Sequence, residues 1–487
     1  MKITRTLAAA LALLGVACSS TNTGNTVNNG ARGANGQPIT TGPNNQPVSA
    51  SANERFTAAA TAMRQHDDAN NGQGDWTADT CNEVAGLFER AANEQPNARF
   101  AEAWFNRGLV FDRCNQADQA RQSLQRAIDV SDGNYCRAKV QLGVMLYRQP
   151  QRDAAGAQRM FEEAIRQDPT HCVEGYTNLA NLLRERNPTN DNEWREVIRN
   201  IRSALALDDR YLPARNQLAL SYLQQAGDDP NSQRIFLAGL VCAQAIQVGA
   251  AHQAELSADV RGYVADLYNT WGIIDIRRNE IIKALEHFRR AYQLNGNMFE
   301  AWVNYGTINL SFRGYQDARE AFQHAVQLRD NSYDAHIGLG VAIRGLAQAA
   351  AEGERPAMLQ QAQQEYERAR TLDANRPDSY YNMGVLYMNY MGGQIPDLER
   401  AKDFLQQFQQ RAGSNARYTD AVTRATRYIR NIDETITALR AVGGGSTPPA
   451  GGAAPAPAAG APTPAAGAAP AAPAAPAAGA PAAPAAH

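Results

Sequence analysis

The chain has 487 residues, with 47 Lys and Arg against 49 Asp and Glu, for a formal net charge of -2. That near balance removes the basic surplus that nucleic-acid binding requires. Loss of Lys2 and Arg5 with a cleaved leader would take the charge from -2 to -4. In chain order, Met1 to Ala17 begins with Lys2 and Arg5 and continues as an apolar run from Leu7 to Val16. The run is too short to span a bilayer as a mature helix, so residues 1–17 read as a secretory signal. Residues 18–52 are rich in Asn, Gly, Thr and Gln, with Arg32 their only charge, which predicts a disordered tether. As a random coil it would reach on the order of 30 Å.

Residues 53–442 are repetitive. Gly272, Gly306 and Gly340 stand 34 residues apart, and Ala284/Ala318, Phe288/Phe322 and Ala291/Ala325 recur at the same step. With Trp302 and Tyr305 they resemble the tetratricopeptide (TPR) pattern, whose unit is two antiparallel helices. The resemblance implies an all-α TPR solenoid, a right-handed superhelix of helix hairpins. Looser copies precede and follow the regular ones. Phe88, Ala91 and Pro96 match the second half of a unit whose first helix would cover roughly 53 to 66. Trp104, Gly108, Ala120 and Leu124 open the next, Gly143, Ala157 and Phe161 another, and Ala180, Ile201 and Ala204 one with five extra residues between its helices. Insertions of this kind fall in turns, where length costs little. Tyr380, Met383, Gly384 and Ala401 mark the last copy, giving eight to nine repeats, and residues 415–440 read as a polar capping helix.

The resemblance also places the cysteines. After Cys18, five remain, an odd number in an oxidising compartment. In repeat geometry Cys81 starts a second helix beside Cys114 at the end of the next first helix, and Cys136 shares an end with Cys172. Two disulfides are expected, with Cys242 left as a buried free thiol. A zinc site at Cys136, His171 and Cys172 lacks paired C-x2-C spacing, so no metal is expected.

In TPR proteins the first helices line a groove, which by resemblance would here include Phe105, Leu109, Val140, Val144, Tyr147, Thr177, Asn181, Arg184, Ile337, Val341, Tyr381, Val385 and Met388. Asn106, Asn178, Asn304 and Asn382 share helix position 6, where Asn can hold a peptide backbone as donor and acceptor at once. The alternative is an Asn bonded within its own repeat. Glu102, Glu174, Asp266, Glu300, Asp334 and Asp378 stand at position 2, and Arg113, Arg148, Arg184, Arg277 and Arg344 near the far ends of first helices. Either the helix dipole explains this arrangement or the charges orient a peptide.

Residues 443–487 hold only Gly, Ser, Thr, Pro and Ala before His487, a disordered tail that is either a solubilising spacer or a segment that crosses the cell-wall mesh or docks on another protein. No G-x-S-x-G, H-E-x-x-H, P-loop or C-x-x-C occurs, and His287 reads as a surface residue. No enzyme activity, cofactor or small-molecule substrate is therefore expected. Leu14-Gly15-Val16-Ala17-Cys18 resembles the bacterial lipobox, which implies acylation of Cys18, with an ordinary cleaved signal as the alternative. By resemblance, Ser19 favours outer-membrane sorting. The whole layout resembles the outer-membrane TPR lipoproteins of myxobacteria. It implies a periplasm-facing scaffold of an envelope gliding-motility machinery, binding other envelope proteins through its groove. The alternatives are a pilotin-like assembly factor for a secretin or type IV pilus, and a peptidoglycan-active envelope enzyme or enzyme activator.

Overall fold

A computed structural model describes residues 48–443 except 73, 149–151, 228, 251–257 and 392. The leader, Cys18, residues 18–47 of the tether and residues 444–487 lie outside the described residues. Those described form α-helices joined by short turns, with no strand among them. They fall into two compact units, the first ending at Ala301 and the second starting at Trp302.

In the first unit α1 (Ala50–Gly72) pairs with α2 (Ala78–Asn93), and α3 (Ala101–Arg113) with α4 (Ala117–Val130). The pairs α5 (Cys136–Tyr147) with α6 (Ala154–Gln167) and α7 (Val173–Glu185) with α8 (Asp191–Leu207) follow. Next come α9 (Leu212–Gln225) with α10 (Gln233–Ala250) and α11 (Ala258–Arg277) with α12 (Ile281–Leu294). Helix α13 (Phe299–Ser311) carries the division between the units. The second unit continues with α14 (Tyr315–Leu328), α15 (Tyr333–Ala347), α16 (Arg355–Leu372), α17 (Asp378–Leu386) and α18 (Ile395–Ala412). Helix α19 (Thr419–Gly443) packs on α18.

Small residues let the paired helices approach, and large ones from the second helix fill the notch. A Cβ added at Gly272 would stand 2.6 Å from the Phe288 ring, and one at Gly340 would stand 2.5 Å from Tyr366. Phe288, Phe322 and Tyr366 are fully buried, as are the Ala residues on either side of each. Each second helix therefore buries one stripe, such as Ala120, Leu124 and Ala127 of α4, and leaves its other face in water. First helices are buried on more sides, because each packs against its own partner and against neighbouring repeats. All of α15 except Asp334 and Leu346 is buried.

Local chemistry sets the ends. The first helix runs Ala50–Gly72, longer than the predicted 53 to 66, because Ser49 Oγ accepts the Ala52 N–H while the Ser49 N–H donates to Gln95 on the neighbouring turn. Asn190 caps α8 by accepting from the Asn192 and Glu193 N–H groups, which closes the five-residue insertion. The capping helix starts at Thr419, later than the predicted 415. Asn415 instead caps a 3-10 turn over Ala416–Tyr418 by accepting the Arg417 N–H.

Candidate peptide-binding surface

The position-2 side chains of three consecutive repeats, Glu102 of α3, Arg137 of α5 and Glu174 of α7, form an acid–base–acid row. Arg137 Nε lies 3.6 Å from Glu174 Oε1, and its guanidinium stacks 5.3 Å from the Phe105 ring centre. Phe105 in turn meets Tyr135 edge-on at 5.5 Å. Burial pushes the Glu102 carboxyl up to about 7, while its own backbone hydrogen bond and Arg137 pull it down. At the far end of the same helices the Tyr147 hydroxyl donates to Glu185 Oε2 at 2.8 Å. Glu102, Arg137, Val144, Tyr147, Asn178 and Glu185 are all partly open to solvent. Together they offer charge of both signs, an aromatic rim and amide hydrogen bonding along one row of first helices.

Much of the predicted groove is closed. Phe105, Leu109, Val140, Thr177, Asn181, Arg184, Ile337, Val341 and Tyr381 are buried, whereas Val144, Tyr147, Val385 and Met388 are half-buried. The cause is packing between successive first helices, which claims the positions that single-repeat geometry leaves free. Arg184 Nε donates to Gln217 of α9 at 3.1 Å, and its terminal nitrogen donates to Asn181 Oδ1 at 2.8 Å. Tyr381 is held by Phe408, 5.0 Å between ring centres, and accepts from Arg424 Nε at 3.2 Å.

The asparagines divide as well. Asn106, Asn304 and Asn382 are buried, and Asn178 is half-exposed. The Nδ2 groups of Asn106, Asn178 and Asn382 donate to the carbonyls of Glu102, Glu174 and Asp378, four residues back in their own helices. For Asn106 and Asn382 this is bonding within the repeat. Asn178 keeps an open side.

The two rims of charge mostly serve to join repeats. Arg113 pairs with Asp67 at 2.8 Å and Arg148 with Asp112 at 2.7 Å. Arg344 donates to Asn382 Oδ1 at 3.2 Å, and Arg376 bridges Asp334 at 2.6 Å and Asp378 at 3.7 Å. These contacts are a third cause beside the helix dipole and peptide steering.

Cys81 is bonded to Cys114 and Cys136 to Cys172, with Cα atoms 6.5 and 5.6 Å apart, and Cys242 is a buried free thiol whose ionisation burial opposes. No group of three or more metal-ligating side chains occurs among the described residues. No described helix is long and apolar enough to cross a membrane. His287 corrects the surface reading. It is stacked on Trp271 at 4.3 Å, and its Nδ1 lies 2.7 Å from Oδ2 of the buried Asp275. The periodicity could not reveal this, because an Asp–His pair is not part of the recurring small-and-large pattern. The Glu102–Arg137–Glu174 row does have a sequence signal, since Arg137 is basic at a position where other repeats carry acid.

Residues 101–134 match the tetratricopeptide repeat family model. The neighbouring helix pairs repeat its close approaches, so the fold is a TPR-type array. Among solved structures, a TPR protein of Thermus thermophilus is similar at 20% identity and a TM-score of 0.34, over 43% of this chain and 99% of that one. Yeast Tom70 is similar at 14% identity and 0.39, over 80% of this chain and 83% of that one. YrrB, described as a TPR protein with an unusual peptide-binding site, is similar at 19% identity and 0.29, over 44% and 92%. No curated protein matches the chain.

Proposed function

We propose that this chain is a non-enzymatic scaffold, held at the outer membrane through an acylated Cys18, that binds envelope partners of a gliding-motility machinery in extended form. The observation that carries the binding role is the row Glu102, Arg137 and Glu174, with Asn178 one turn further along and Tyr147 at the far end of the same helices. Successive first helices present these side chains in one register while the surrounding positions are sealed by packing. A pre-ordered row of this kind lets an extended peptide dock at the cost of mainly its own freedom. TPR arrays characteristically serve protein recognition, which agrees with the row. The anchoring role rests on the leader and on Cys18 directly after its apolar run.

A photocrosslinking residue placed at Tyr147 tests the binding role in native membranes. It should capture a discrete envelope protein, and a crosslinker at the buried Val140 should not. Equal capture at both sites would refute it. Cys18→Ala tests the anchor: the protein should leave the outer-membrane fraction or stall as precursor, and unchanged fractionation would end that part of the reading.

A further inference from the structure

A second surface lies on the other helix layer. Helix α8 and the α9–α10 turn enclose an open groove of about 650 Å3. Trp194 and Ile198 form its half-buried floor, and Arg195, Arg199, Arg202 and Arg234 form its walls. Asp191 is the one carboxylate on its lining, so four positive charges face one negative. On the first-helix layer Arg113 is matched by Asp67 and Arg148 by Asp112. Here Arg199 has only Glu196, at 3.9 Å, and among the described residues no carboxylate pairs with Arg195, Arg202 or Arg234. The Arg195 Nε instead donates to the Asp191 carbonyl and Arg234 to the Gln225 carbonyl. Gln225 adds a further donor, since its Nε2 is buried in the groove with no acceptor among the described residues.

The lining therefore consists almost wholly of donors around an apolar floor, and it calls for an acceptor-rich anion that also carries apolar groups. Arg195 and Arg202 are seven residues apart on one helix, roughly 10 Å, which a single phosphate does not span. Trp194 is half-buried while Arg195, Arg199, Arg202 and Arg234 are exposed, so its ring suits a single apolar side chain of a bound segment. Leu237 follows Arg234 by three residues on α10 and is 44% exposed, so an apolar side chain neighbours that arginine on the helix surface. Neither end of this chain can supply the ligand, because residues 18–52 and 443–487 contain no Asp or Glu.

We propose that this groove docks an acidic segment of another protein, with carboxylates on the four arginines and an apolar side chain on Trp194. Arg and Trp are also the residue types that most often dominate binding energy.

The test uses the full chain in detergent and a fluorescein-labelled twelve-residue peptide alternating Glu-Glu-Leu, read by fluorescence anisotropy. The peptide should bind, with affinity falling as salt rises. The Arg195→Glu/Arg202→Glu double variant should weaken binding at least tenfold, and Trp194→Ala should also weaken it. Arg195 and Arg202 face solvent, so the circular dichroism melt of the double variant should match the parent, whereas Trp194→Ala also removes packing on Val197 and Ile201 and is compared at a temperature where both proteins are folded. If the double variant melts early, Arg195→Gln/Arg202→Gln gives the same reading with less charge change. Tyr147→Ala on the first-helix row should leave this affinity unchanged, which separates the two surfaces. Several results would overturn the proposal: equal binding by the parent and the double variant, or a loss on Tyr147→Ala equal to that of the double variant. So would complete displacement by millimolar inorganic phosphate. Dependence on Arg195 and Arg202 of phosphatidylglycerol vesicle binding or of self-association, with peptide binding unaffected, would replace the acidic segment by a lipid surface or a second copy.

Discussion

Glu102 turns the described geometry into a pH experiment. Its Oε2 is buried without a donor among the described residues, and burial lifts the carboxyl from 4.5 to about 7 despite Arg137 nearby. A folded-state value above the unfolded one means that the stability tied to this group is fully present below about 4.5. It is lost as pH rises through about 7. At about 1.36 kcal/mol per pH unit, the interval from 4.5 to about 7 is worth at most about 3.4 kcal/mol, and the partial solvent contact of the residue brings the expectation to about 2 kcal/mol. Glu102→Gln preserves shape and removes the titration. Urea unfolding of both proteins, followed by circular dichroism between about pH 4 and pH 8, should show the variant gaining about 2 kcal/mol on the parent across that window. The difference should be flat on either side. Parallel pH profiles for the two proteins would refute the assignment of a buried, proton-holding carboxyl to this position.

Three further outcomes follow from the packing. Reduction, or Cys81→Ser with Cys136→Ser, should cost about 3 to 4 kcal/mol per bridge in the chain-entropy model for loops of 33 and 36 residues, and non-reducing peptide mapping should return these pairs. Arg148→Ala should destabilise by about 3 kcal/mol, because it strips two charge-assisted bonds from the nearly buried Asp112; a loss under about 0.5 kcal/mol would make the pair a surface bridge. Asn304→Ala should lower the melting midpoint, costing about 1 to 3 kcal/mol for a fully buried amide, while Asn178→Ala should cost about 0.5 kcal/mol or less. Equal midpoints for the two variants would contradict the division made here between sealed and open asparagines.

What was legible in the sequence is what one repeat decides alone. Gly272 over Phe288 and Gly340 over Tyr366 are contacts within a hairpin, so a fixed step of 34 residues exposes them. The cysteine pairs were legible for a related reason: each joins helix ends that antiparallel neighbours must bring together. The groove was less so. Whether Val140 or Arg184 faces water depends on how closely one first helix lies on the next, and Arg184 reaching Gln217 across 33 residues leaves no mark on local periodicity. His287 differs in cause: its partner Asp275 lies within the same hairpin, but an Asp–His pair is not part of the recurring small-and-large pattern that the 34-residue step displays. The arginine groove did leave a trace, as Arg195, Arg199 and Arg202 recur at helical spacing beside Trp194 and Ile198. That trace lies on α8, a second helix, outside the first-helix positions that the TPR resemblance assigns to a groove.

Both disulfides lie before residue 173, and none bridges the described chain beyond that point. The consequence is mechanical. Under tension along the backbone, a bridge diverts force across itself, so the loops closed by Cys81–Cys114 and Cys136–Cys172, with sequence separations of 33 and 36, are kept off the load path. Each loop withholds roughly 110 to 120 Å of contour length that an unbridged hairpin would release on extension. Helix pairs after residue 173 have only packing and hydrogen bonds to resist the same pull, so they should yield first. The reduced protein would lengthen by about twice that withheld amount more than the oxidised one before becoming taut. The two bridged segments thus act as inextensible inserts, with α1 and α4 outside them free to extend like the later helix pairs, and the redox state of four sulfur atoms sets how much of the chain before residue 173 can stretch.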